Sequence, residues 1–196
     1  MVDAASPQGP AFESPVVRSY PASADGDLTL ADASAATKWL VRASPDGPTA
    51  ERMGTAFGSS NRTPGGALVL GSRPGEWIIV GSPGEVAAAV ADLDGLDAEE
   101  FMTALDWTHS RAMFRVTGAE AARMLEKVCG IDWGDHMTPD GAVLSASVAL
   151  TTCDLARNDI DDTRSYLIFC DRSFGQYLFD ALIDAGNEFG ITVHAG

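Results

Sequence analysis

A chain of 196 residues with an apolar share of 45% can build one sizeable core, or two small halves that share one. Its 13 basic side chains against 28 acidic ones leave a formal charge of −15, which repels phosphate backbones and anionic membrane surfaces and sets nucleic acid and membrane aside as partners. No apolar run approaches the roughly 20 residues that span a bilayer, and the first residues lack the basic start and apolar stretch of a secretion signal.

Residues 1–27 are rich in Pro, Ser, Ala and Gly and have no periodicity, so they are expected to form an extended or disordered arm. Residues 28–196 are expected to form a single domain. Its first strand is read at "TKWLVRA", closed by "SPDGP", with a helix beginning near Thr49. "GGALVLG" and "EWIIVG" read as strands around an "SRPG" turn. Ser82, Pro83 and Glu85 then make a capping box for a helix that stops before Gly95. The segment "LDAEEFMTALDWTHS" reads as a linker carrying a short helix.

The second half repeats the pattern. "SRAMFRV" is a strand, and Thr117 with Glu120 reads as a capping box. In the helix that follows, Ala121, Ala122, Leu125, Val128 and Cys129 share a face, and Gly130 is its stop. "GAVLSASVAL" reads as one long strand, "ARNDIDD" as an acidic loop and "RSYLIFC" as the last strand. Ser173 and Gln176 suggest a capping box for the closing helix, whose stripe runs through Phe174, Tyr177, Leu178, Ala181, Leu182 and Ala185. The expectation is an α+β fold of two pseudo-repeated β-α-β-β-α halves, roughly 37–96 and 110–192, with helices on one sheet face.

The chemistry-bearing residues are sparse. There is no dinucleotide glycine fingerprint, phosphate loop or serine nucleophile elbow. His109, His136 and His194 have no partner at metal-ligand spacing; His109 beside Asp106 could form an acid–base pair, but a local linker role is favoured. His136 sits in a Pro/Gly loop and His194 near the C-terminus, both expected at the surface. Asp154, Asp159, Asp161 and Asp162 offer oxygens without the glycine and terminal glutamate of a calcium loop, and read as a solvated hairpin loop. Trp39, Trp77 and Phe114 lie in strands and are expected in the core. Trp107 and Trp133 lie in connections, where a surface or interface position is expected, with half-buried loop packing as an equal alternative. Cys129, Cys153 and Cys170 are an odd set without paired spacing, each in an apolar stretch, and suit buried thiols in a reducing cytoplasm. No catalytic, cofactor-binding or metal-binding residue is assigned.

The order of "TKWLVRA", "LGSRPGEWIIVG", "SRAMFRVTGAEAARMLEKVCGIDW", "GAVLSASVAL" and "YLIFCDRSFGQYLFDALIDAG" resembles the gamma subunit of heterotetrameric sarcosine oxidase, from about Thr37 to Gly190. Gly75-Glu76-Trp77, the run Gly118 to Asp132 and Arg172-Ser173-Phe174 carry the resemblance; the N-terminus and the "DWTHS" linker depart from it. The resemblance implies the fold of the folate-binding domain of aminomethyltransferases. It also implies a cytoplasmic complex with alpha, beta and delta subunits that oxidatively demethylates sarcosine to glycine and passes the one-carbon unit to tetrahydrofolate. NAD, FAD, FMN, the folate site and zinc would sit on those other subunits and none on this chain. A free-standing folate-dependent aminomethyltransferase-like protein is the alternative, and a scaffold or regulator of an unrelated complex a third.

Overall fold

A computed structural model of the chain describes residues 11–20, 26–98 and 100–194. In chain order these form β1 (Leu28–Asp32), β2 (Thr37–Arg42), α1 (Pro48–Met53), β3 (Ser60–Arg62), β4 (Leu68–Arg73), β5 (Glu76–Gly81), α2 (Pro83–Ala91) and β6 (Thr103–Asp106). There follow β7 (Arg111–Gly118), α3 (Ala121–Glu126), β8 (Val143–Val148), β9 (Thr151–Arg157), β10 (Ser165–Asp171), α4 (Gly175–Gly186) and β11 (Thr192–His194). One sheet has the order β11-β1-β7-β10-β9-β8, and the other β3-β4-β5-β2-β6. The fold is α+β.

Two sheets and their helices stack as four layers. Leu40, Leu68, Leu70, Ile78 and Val80 of the five-stranded sheet face Met113, Val143, Ala156, Leu167 and Phe169 of the six-stranded one. The outer face of the first sheet packs on α1 and α2 through Val41, Val69, Trp77, Ile79 and Val86. The outer face of the second packs on α3 and α4 through Phe114, Ile168, Leu125, Leu178, Phe179 and Leu182. The central strands are covered on both faces, so "LVL", "EWIIV" and "SYLIFC" are continuous apolar runs rather than alternating ones. Each large apolar side chain buried this way stabilises the fold by about 1.5–3 kcal/mol.

Local sequence fixes the helices that lie against these sheets. Pro48 and Pro83 open α1 and α2, where a missing N–H costs nothing. Ser82 and Glu85 close the capping box reciprocally, the Ser82 N–H donating to the Glu85 carboxylate at 2.7 Å. The other two boxes do not form. Thr117 is the penultimate residue of β7 and its hydroxyl pairs with that of Ser165 at 2.9 Å. Gly118 follows at φ 141°, and a Cβ there would lie 2.0 Å from the Asp27 carbonyl oxygen, so the strand must continue through a glycine before α3 can start. At α4 a short 3-10 turn, Arg172–Phe174, replaces the Ser173 cap, and Gln176 instead accepts the Val17 and Arg18 N–H groups.

Several strands were not legible. β1 lies in the Ala/Asp-rich stretch before the first expected strand and pairs with β7, more than eighty residues away in sequence. Its counterpart is β6, which occupies part of the expected linker and pairs with β2. The strand preceding each half's first long strand therefore joins the other half's sheet. Both short connections carry the same turn: Asp32 Oδ1 accepts the Ser34 N–H at 2.9 Å, and Asp106 Oδ1 accepts the Thr108 N–H at 2.8 Å. "GAVLSASVAL" is not one strand either. β8 ends at Val148, and Ala149-Leu150 turn the chain into β9.

Of the expected arm, residues 11–20 follow an irregular path along α4. Val16 is buried, Tyr20 packs on Phe179 with ring centroids 5.4 Å apart, and Arg18 pairs with Asp180 at 2.6 Å. Residues 1–10 and 21–25 lie outside the described residues.

Candidate functional site

The residues the sequence offers for chemistry do not converge. His109 is exposed, its ring 5.7 Å from that of Phe12, while Asp106 is engaged by the Thr108 N–H. His136 is exposed and contacts Asp132 at 3.3 Å, and His194 ends β11 in solvent. Cys129, Cys153 and Cys170 are free and buried; burial pushes the Cys153 and Cys170 thiols up to about 12, so neither is a nucleophile at neutral pH. Among the described residues no group of three or more His, Cys, Asp or Glu could hold a metal ion.

The acidic loop resolves into two different things. Asp161 and Asp162 form an exposed turn, whereas Asp159 is held by the Arg157 guanidinium at 2.9 Å. Arg157 also reaches Asp135 at 2.6 Å, and Arg164 joins the same carboxylate at 2.8 Å. Asp154 is not in the loop. It sits in β9 with its side chain 4% exposed, between the sheets, accepting from Ser145 Oγ at 2.6 Å and Arg73 at 3.1 Å, with Arg111 at 3.9 Å. Arg73 also binds Glu76, which accepts from Arg42 at 2.7 Å. Burial opposes the Glu76 charge, but Arg42 and Arg73 outweigh it and hold the carboxyl below its ordinary range. Asp154 and Glu76, joined through Arg73, are engaged by several partners each, which makes them structural ties.

The tryptophans follow the layers rather than the connections. Trp77 and Phe114 are core, and Trp39 is half-buried because its neighbour Lys38 faces inward instead. Trp107 is half-buried under the Arg111 guanidinium at 4.5 Å. Trp133, expected at a surface or interface, is 2% exposed and packs edge-on against Tyr166 at 5.1 Å, because loop 131–141 folds back over β10.

Lys38 has one local signal in the sequence, a lysine inside an apolar strand. It has no exposure, and its Nζ donates to the Ser34 and Ala36 carbonyls at 2.7 Å each. Burial pushes its ammonium down to about 8 from 10.5, against the pull of Asp32 and Asp106 and with a further lowering from Arg172. Between those two pH values the unfolded chain binds a proton that the native chain has released, so this group makes stability rise with pH. The difference in unfolding free energy between the wild-type chain and Lys38→Met is expected to grow from pH 8 to 10.5 in urea titrations. Cys153 and Cys170, protonated only in the native state between about 9 and 12, give the opposite slope and cancel in that difference. A flat difference would show that Lys38 stays charged or is solvated.

The described residues line several recesses, among them the following two. One, of about 390 Å³, lies between α1, the β3–β4 hairpin and α2, with Met53, Val69 and Leu93 as its apolar part and Arg52 and Arg62 at its rim. Both arginines are already engaged, Arg52 with the Asp92 carbonyl and Arg62 with the Gly66 carbonyl. A shallower groove of about 530 Å³ runs past Trp39, Asp94, Asp106, Thr108 and His109. Neither places an acid, a base and a nucleophile within reach of one another.

No family model and no curated protein matches the sequence. Among solved structures, a chain of heterotetrameric sarcosine oxidase from Corynebacterium sp. U-96 in complex with pyrrole 2-carboxylate superposes with a TM-score of 0.71 at 23% identity, over 86% of this chain and 89% of that one. Glycine cleavage system aminomethyltransferase T from Bartonella henselae superposes with a TM-score of 0.63 at 14% identity, over 85% of this chain and 47% of that one. The chain thus spans about half the length of the aminomethyltransferase. At these identities what is shared is the fold, and the aminomethyltransferase-like architecture expected from the sequence is the one found.

Proposed function

We propose that this chain is the gamma-type, non-catalytic subunit of a multi-chain oxidase that demethylates sarcosine or a related N-methyl amine to glycine. Its role there is to complete the assembly beside the folate-binding part of the complex, where the released one-carbon unit passes to tetrahydrofolate. NAD, FAD, FMN and zinc belong to the alpha, beta and delta partners. The observation that supports this most is the near end-to-end correspondence with one chain of heterotetrameric sarcosine oxidase, 86% of this chain against 89% of that one.

Co-expression with the flavin-carrying and folate-binding chains tests the reading. The expected result is stoichiometric co-elution on size exclusion and amine-dependent peroxide release only by the assembled complex. The isolated chain is expected to be colourless and to give no heat with tetrahydrofolate in calorimetry. A chain that stays monomeric beside those partners overturns the proposal, and tight tetrahydrofolate binding by the isolated chain favours the aminomethyltransferase-like alternative.

A further inference from the structure

Two non-glycine residues, Ala149 and Leu150, turn β8 into β9 with φ of 45° and 64°. A two-residue hairpin turn with both φ positive is the province of Asn-Gly and Asp-Gly, because a Cβ crowds the backbone in that region. The turn at Asp161-Asp162 has the same signs, 47° and 62°, but fills them with side chains that tolerate it. At the β8–β9 turn the strained position instead holds a leucine that is 94% exposed, so it gains nothing from the chain's own core. Strain kept for an apolar side chain facing solvent points outward, to something that covers it.

The surroundings extend the surface. Tyr177 on α4 is half exposed and donates its hydroxyl to the Ala149 carbonyl at 3.0 Å, tying the turn to the helix. Phe174, three residues earlier, is half exposed as well. β8 is the outer strand of its sheet, and among the described residues no further strand pairs with it. Its sequence, "VLSASV", has no charge, proline or bulge of the kind that usually protects an edge. The flanking amides are taken, Val143 by the Gly58 carbonyl and Ala149 by that of Val128, leaving Leu144–Val148 as a bounded, uncharged edge.

From these observations, and resting on the subunit reading above, we infer that the β8 edge, the Leu150 tip and the Tyr177–Phe174 face form the docking surface for a basic partner chain, with Leu150 as anchor. Charge selects the occupant. A second copy would bring another −15 to the contact, whereas a basic surface is drawn to it. The exposed Asp184 lies two turns along α4 from Tyr177, at the border of the apolar face. An extended partner segment would add to β8 through its backbone and receive Leu150 in an apolar socket.

The double substitution Ala149→Asn, Leu150→Gly separates docking from folding. It supplies the turn with the residues its backbone prefers, so the Tm of the isolated chain is expected to rise by about 2–6 °C. Association with the co-expressed flavin-carrying and folate-binding chains, measured by sedimentation or surface resonance, is expected to weaken by about tenfold or more. Raising salt from about 50 to 500 mM should weaken wild-type association as well. A stabilised variant that associates as well as wild type overturns the inference, as does salt-independent binding or self-association of the chain through Leu150. If the wild-type chain itself fails to associate, the subunit reading falls instead, which keeps the two failures apart.

Discussion

Replacing Asp154 with alanine is expected to lower the unfolding free energy by about 3 kcal/mol, the lower end of what breaking a buried ion pair costs. The carboxylate is 4% exposed and answers Ser145, Arg73 and Arg111 at once. Its removal leaves the Arg111 guanidinium, 18% exposed, with Asp171 alone, and leaves a hydroxyl without its acceptor. Arg73 is 44% exposed and can turn to solvent, which tempers the loss. Asp154→Asn keeps an acceptor for Ser145 and should lose less than the alanine variant. Urea unfolding of both variants measures this; an alanine variant within about 1 kcal/mol of wild type would mean that the network is solvated and weak.

The second large effect is expected at Phe179. Its ring is fully buried in α4, edge-on to Phe114 at 5.1 Å and tilted against Tyr20 at 5.4 Å. Truncation to alanine removes aromatic contacts and leaves a cavity between helix and sheet, at a cost of about 4 kcal/mol. Because Tyr20 rests on the same ring, residues 11–20 should loosen before the chain unfolds. Amide exchange should report this at Val17 and Arg18, whose N–H groups are held by Gln176. Unchanged protection there would show that Gln176 and Asp180, without Phe179, suffice to hold the segment.

How much of this was legible depended on the range of the interaction. The apolar runs at "GGALVLG", "EWIIVG" and "RSYLIFC" announced buried strands because both their faces are covered. The Ser82 box announced a helix start because every atom it uses lies within four residues. The boxes at Thr117 and Ser173 had the same letters and failed: Thr117 was taken by its neighbour across the sheet, and Gln176 by the N-terminal segment. Asp154 read as loop because its acidic neighbours are loop, and its partner Arg73 is eighty-one residues away. The Ala149-Leu150 turn was invisible since neither residue is a turn former.

By itself the sequence determined the α+β class, the doubled order of strands and helices, the buried thiols and an acidic surface. These follow from periodicity, capping and composition, which are properties of neighbouring residues. The tertiary structure alone decided the exchange of β1 and β6 between halves, the inward turn of Lys38 and the burial of Trp133. It also decided the exposure of Leu150 at a strained turn. Each of these depends on which distant backbone or charge occupies the other side of the contact, and no local pattern encodes that.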